Sequence, residues 1–227
     1  MRNKQPPGSP RRELYGIGRV EAFSDGVIAV AITLLVLDLK VPDPGVVGGL
    51  AQRLLDMWPN YLAYGISFLA IGIMWINHHA ALRRLKSVDH AVLVVNLLLL
   101  MCIVGLPFST SLFATYLDAE SVGHLAAVVY AGSFLVTSLV FLGLQGLILV
   151  GRPQLLREPL TQGQRRSLLL RGAIAVPTYL LAAALGLVSA YLTLAVCIVL
   201  GLFYFIPQRL PDASAGHPLT MEDDDDT

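Results

Sequence analysis

Six stretches of the chain stay apolar long enough to cross a hydrocarbon core about 30 Å thick, which takes about 20 residues at 1.5 Å rise each. The pattern predicts helices over residues 19–39, 58–82, 90–116, 122–150, 168–187 and 190–206. The first stops before Pro42-Asp43-Pro44, and the fourth ends at Gly151-Arg152-Pro153. The last two share one apolar stretch of nearly forty residues, too long for a single tilted span, so it divides at Val188-Ser189. Between the first two helices, Val47, Leu50, Leu54 and Met57 are interleaved with Gln52, Arg53 and Asp56. That spacing over residues 46–57 suits a short amphipathic helix lying at the membrane interface. Pro107 and Pro177 fall inside spans, where neighbouring groups must satisfy the freed carbonyls. The runs do not alternate, which favours helices over barrel strands.

Composition agrees with lipid as the main solvent. Of 227 residues, 55% are hydrophobic and 14% are charged, where a soluble domain carries about 25% charged residues. The fold class expected is an all-α polytopic membrane protein with the bilayer as a partner. Net charge is zero, which gives no footprint for nucleic acid. Cys102 and Cys197 sit in apolar runs and read as small apolar fillers. Residues 1–18 form a Pro-rich, charged N-terminal segment unlike a signal peptide, 19–207 the membrane domain, and 208–227 an acidic, disordered tail.

The basic residues then orient the spans. Arg2, Lys4, Arg11, Arg12 and Arg19 precede or open the first helix; Arg83, Arg84 and Lys86 join the second to the third. Arg152, Arg157, Arg165, Arg166 and Arg171 lie between the fourth and fifth, and Arg209 follows the sixth. Only Lys40 and Arg53 fall on the other side, so 14 of the 16 share one face of the membrane. The positive-inside rule makes both termini cytoplasmic in a multi-pass protein of the cell membrane.

The first helix carries the unusual chemistry. It opens Arg19-Val20-Glu21-Ala22-Phe23-Ser24-Asp25-Gly26. Glu21 is at headgroup depth, but Asp25 lies about 9 Å further in than Arg19 and needs a partner. On a helical wheel Thr33, Leu34 and Leu37 fall within about 60° of Val30, and Asp25 points to the far side. From periodicity alone this stripe fits ordinary packing or lipid contact better than a pore. His78 and His79 fit interfacial anchors as well as any other role. Asn96 and Gln145 read as interhelical hydrogen-bond formers.

Arg19-x-x-x-Phe23-Ser24-Asp25, followed by Gly-Val-Ile-Ala-Val-Ala-Ile-Thr-Leu-Leu-Val-Leu, resembles the signature first helix of the transmembrane-protein-175 family of potassium channels. Trp75-Ile76-Asn77-His78-His79 resembles the prokaryotic branch of the same family. The likeness is most specific over residues 19–41 and 58–86. It implies a homotetramer of six-helix subunits, with the first helix lining a central pore and K+ as the permeant ion, no cofactor being required. The apolar constriction it implies falls at Val30, with Leu34 and Leu37 as further rings, and the selectivity hydroxyl at Thr33. Val30 stands where the family usually has Ile or Leu, and the shorter side chain implies a wider, more readily wetted neck. Arg19, Ser24 and Asp25 are expected in a polar network with Trp75 and His78, and less centrally Asn77 and His79. Phe23 completes the motif. Nothing matches a Thr-Val-Gly-Tyr-Gly filter loop.

Three rivals frame this expectation. A secondary transporter would want inverted repeats or broken helices at the midplane, and only Pro107 and Pro177 hint at that. A membrane enzyme would want clustered ligands, yet adjacent histidines on a helix point about 100° apart. A non-conducting assembly partner would have the same sequence features as a channel subunit.

Overall fold

The computed structural model describes residues 16–43, 49–119 and 122–205, with backbone alone for 203–205. The expected N-terminal segment before residue 16, the acidic tail and residues 46–48 of the expected interfacial helix lie outside the described residues. The chain is helical: α1 Ile17–Leu34, α2 Leu50–Asp56, α3 Trp58–Arg83, α4 His90–Tyr116, α5 Val122–Gly146, α6 Gln162–Ala173, α7 Ala175–Gly186 and α8 Ala190–Phe205. Among the described residues five apolar helical stretches are long enough to cross a membrane, one of them Gln162–Gly186, which holds α6 and α7. The shorter apolar α8 follows.

Local chemistry explains the boundaries. Asp89 caps α4, its carboxylate accepting from the Val92 amide at 3.0 Å. Trp58-Pro59 opens α3, with proline where no intrahelical N–H is needed. The fifth span begins earlier than the apolar run, at Gln162 rather than residue 168. Thr161 and Gln164 form a reciprocal capping box there, so the helix starts in polar sequence. It breaks at Ile174, between α6 and α7. Pro177 lacks the amide that would pair with the Ala173 carbonyl, and the helix yields there. At Val188-Ser189 a tight turn separates α7 from α8, as the division of the long apolar run requires. Gly186 sits where a methyl group would meet Thr193 Oγ1 at 2.9 Å and Ala127 Cβ at 3.2 Å, so only glycine allows α7 this close to α5.

Two ends also differ from regular α-helix. The first span closes in a 3₁₀ turn, Leu35–Asp38, and the fourth ends in a π turn, Leu147–Gly151. The arginine-bearing connections then meet at one end of the bundle. Leu85 and Leu156 form an antiparallel bridge, the Lys86 amide donates to the Leu155 carbonyl at 2.9 Å, and Arg157 Nε donates to the Leu85 carbonyl at 2.8 Å. Arg152 Nε donates to Asp89 Oδ2 at 2.8 Å. One carboxylate thus caps α4 and pins the connection after α5.

The core lies among α3, α4, α5, α7 and α8, with Phe113, Tyr130 and Phe134 its largest fully buried side chains. The α1 helix packs chiefly on α3 and α4. It buries Ser24, Ile28, Ala31 and Leu35, residues spaced by three and four, against them.

Candidate functional site: the two faces of the first helix

Burying residues 24, 28, 31 and 35 forces the opposite face of α1 outward. That face carries Arg19, Phe23, Gly26, Val30, Thr33, Leu34 and Leu37 in one exposed stripe. Val30 is 55% exposed, Leu34 37% and Leu37 68%, so the chain's own helices leave the stripe uncovered. The 3₁₀ turn keeps Leu37 on it. Thr33 Oγ1 donates to the Val30 carbonyl at 2.8 Å. Its hydrogen is therefore occupied within the helix, and its oxygen lone pairs face the open side, where they suit a cation.

The buried face is tied down by polar groups. His78 Nε2 donates to Asn96 Oδ1 at 2.7 Å, and Asn96 Nδ2 donates to Ser24 Oγ at 3.0 Å. All three side chains are buried, and the amide joins α1, α3 and α4 in one chain of hydrogen bonds. The half-exposed Asp25 carboxylate finds its partner in Trp75 Nε1, which donates to it at 2.8 Å. His79 Nδ1 stands 3.8 Å from the same carboxylate, too far for a hydrogen bond. The rings of Trp75 and His79 lie 5.8 Å apart and pack along Asp25.

The structure does not bring every expected residue into this cluster. Arg19 is exposed and, among the described residues, makes no side-chain hydrogen bond or ion pair. Phe23 is exposed on the open stripe. Asn77 turns back to the Ile73 carbonyl of its own helix, on the side of α3 away from α1. Gln145, expected to bridge helices, has a buried Oε1 without a partner among the described residues.

A second network was not foreseen from sequence. Ser67 Oγ meets Tyr130 Oη at 2.9 Å, Thr110 Oγ1 donates to Ser67 Oγ at 2.9 Å, and Ser133 Oγ lies 2.7 Å from Ser109 Oγ. It joins α3, α4 and α5 in the half of the bundle away from the arginines. The signal was present: Ser67 lies eleven residues before His78, three helical turns on the same face, and Thr110 lies close to the face of Asn96.

Comparison with known proteins bears on what this arrangement is for. The family profile described as endosomal/lysosomal potassium channel TMEM175 matches residues 19–107, which hold the open stripe and the whole Ser24–Asn96–His78 chain. A potassium channel of Streptomyces collinus is 42% identical over 202 residues, covering 88% of this chain and 98% of that one. A potassium channel of Chamaesiphon minutus is 41% identical over 189 residues, covering 82% and 92%. The crystal structure of a lysosomal potassium-selective channel TMEM175 homolog from the latter organism superposes with a TM-score of 0.75. It is 39% identical, and the match covers 83% of this chain and 96% of that one.

Proposed function

The chain belongs to the TMEM175 family, and from that premise we propose that it is a potassium channel whose pore is lined by the open face of α1. The observation that carries this reading is the α1 stripe itself, uncovered by its own subunit and bearing a hydroxyl among bulky apolar residues. One pore helix per subunit cannot enclose a conduit, so copies assemble around an axis, as a homotetramer. The chain crosses the cell membrane six times with both termini in the cytoplasm, as its arginine distribution favours.

Val30 side chains from the several copies form the narrowest ring, with Leu34 and Leu37 as further rings. An apolar ring a few ångströms wide expels water and presents a barrier to a hydrated cation until the helices spread. Thr33 oxygens, next to the Val30 ring, replace part of the lost hydration. K+ releases its shell more readily than Na+, and that difference gives a moderate selectivity. Ser24, Asp25, Trp75, His78 and Asn96 hold the pore helix at its arginine-rich end.

Flux from proteoliposomes under a K+ gradient tests the reading. Val30→Asn wets the neck and raises initial flux by about tenfold, the change given by a barrier about 1.4 kcal/mol lower. Thr33→Ala keeps flux but lowers the K+ over Na+ preference two- to tenfold, the worth of an oxygen contact of about 0.5–1.5 kcal/mol. If neither variant alters flux or preference, α1 does not line the path. If the wild-type protein is silent, the chain is an assembly partner.

A further inference from the structure

The face of α3 turned away from α1 borders a partly open cavity of about 230 Å³, lined on its other sides by α5, α6, α7 and α8. Its α3 wall runs from Ala70 to Arg84, about 21 Å at 1.5 Å per residue, or two-thirds of a hydrocarbon core. The cavity is chemically polarised along that length. Arg84 and Arg171 line it on the arginine-rich side, with Gln145 beside them, whereas Met74 and Phe141 make apolar wall.

Two details indicate an anion at the basic end. Burial lowers the pKa of Arg84 from its ordinary value, and among the described residues no carboxylate pairs with it. A guanidinium does not deprotonate in such a place, and an anion beside it would balance the charge. Gln145 lines the cavity with its Oε1 buried against Gly172, where a Cβ would meet it at 2.9 Å, so the amide N–H group is the end left to face a ligand.

A small free anion would account for the arginines but not for the long apolar wall. We propose that this cavity binds an anionic membrane lipid, its phosphate held by Arg84 and Arg171 and one acyl chain lying along α3 against Met74 and Phe141. Basic pockets between membrane helices take phospholipid headgroups in this manner. The lipid would brace α3 from the side opposite Trp75 and His78, the residues that hold α1. This site is independent of the pore reading and survives its failure.

The test titrates dioleoyl phosphatidylglycerol into the purified full chain in an uncharged detergent and counts bound lipid by native mass spectrometry. Saturable binding at least tenfold tighter than that of dioleoyl phosphatidylcholine is expected. The Arg84→Gln/Arg171→Gln pair weakens it by about thirtyfold, as two basic groups at a lipid surface predict. Ala80→Phe fills the cavity with both charges kept and also abolishes binding, which guards against misfolding of the charge variant. Arg166→Gln, at an exposed α6 position outside the cavity, leaves binding unchanged. Equal affinity for both lipids overturns the proposal. So does a loss in Arg166→Gln as large as that of the pair, or displacement by inorganic phosphate at the lipid's own concentration, which marks a free-anion site.

Discussion

At the arginine-rich end, Ser24, Asn96 and His78 tie α1 to α4 and α3; in the opposite half, Ser67, Thr110, Tyr130, Ser109 and Ser133 tie α3, α4 and α5 to one another. Both networks are largely buried, but their wiring differs. In the second, the Leu106 carbonyl lies within reach of both Ser109 and Thr110 as an alternative acceptor, and the Tyr130 carbonyl within reach of Ser133. A hydroxyl that loses its neighbour there still has an acceptor one turn away. In the first, the Asn96 amide spans two helices through two different atoms, and among the described residues no backbone group stands in for either bond. The scaffold is held redundantly, while α1 is held by single links.

That contrast predicts the largest effect at Asn96. Asn96→Leu keeps the volume near native but leaves the His78 N–H and the Ser24 hydroxyl buried without their partner. Each such group costs about 1–3 kcal/mol, so a loss of about 2–4 kcal/mol is expected in SDS-induced unfolding of the detergent-solubilised protein. A loss below ~0.5 kcal/mol would mean that apolar packing of Ile28, Ala31 and Leu35 alone holds α1.

Trp75 comes next, because its bond to Asp25 is partly open to solvent and screened. Trp75→Phe should cost about 0.5–1 kcal/mol. A double-mutant cycle with Asp25→Asn sharpens the comparison: the second change should add little once the indole N–H is gone. Full additivity would show that Trp75 supports α1 through its ring on His79 rather than through the carboxylate.

Sequence reasoning reached the fold through hydropathy and charge. The apolar runs placed α3 and α4 within a residue at each end, because a membrane span ends where lipid ends; the structure adds Pro59 and the Asp89 cap at the same starts. It fell short at residue 162, where a capping box extends a helix into polar sequence, and at Ile174, where Pro177 acts one turn upstream of itself. In the candidate site, the wheel grouped Val30, Thr33, Leu34 and Leu37, and the cost of burying Asp25 called for a partner. The resemblance pointed to Trp75 for that partner, whereas the role of Asn96 as the link to Ser24 depends on which faces of α3 and α4 meet. A single sequence leaves that pairing open. The hydroxyl network was hidden for a related reason: serine and threonine in a span usually satisfy themselves on their own helix, so their presence alone does not announce a contact. Whether the open stripe meets copies of itself is a property of the assembly and is not written in one chain's periodicity.

The smallest expected effect falls on Ser133. Its Oγ lies 2.7 Å from Ser109 Oγ and 2.7 Å from the Tyr130 carbonyl, and Ser109 lies 2.9 Å from the Leu106 carbonyl. Two hydroxyl hydrogens therefore have two backbone acceptors of their own. Ser133→Ala removes one hydroxyl and strands no donor, since Ser109 keeps Leu106. The cost should stay below about 0.5 kcal/mol, with K+ flux unchanged, because only loss of an unreplaced partner carries the full desolvation penalty. If Ser133→Ala instead destabilises the protein as much as Asn96→Leu, the backbone carbonyls are not real alternatives. The α4–α5 contact would then depend on single links just as α1 does, and the distinction between a redundant scaffold and a singly tethered first helix would be lost.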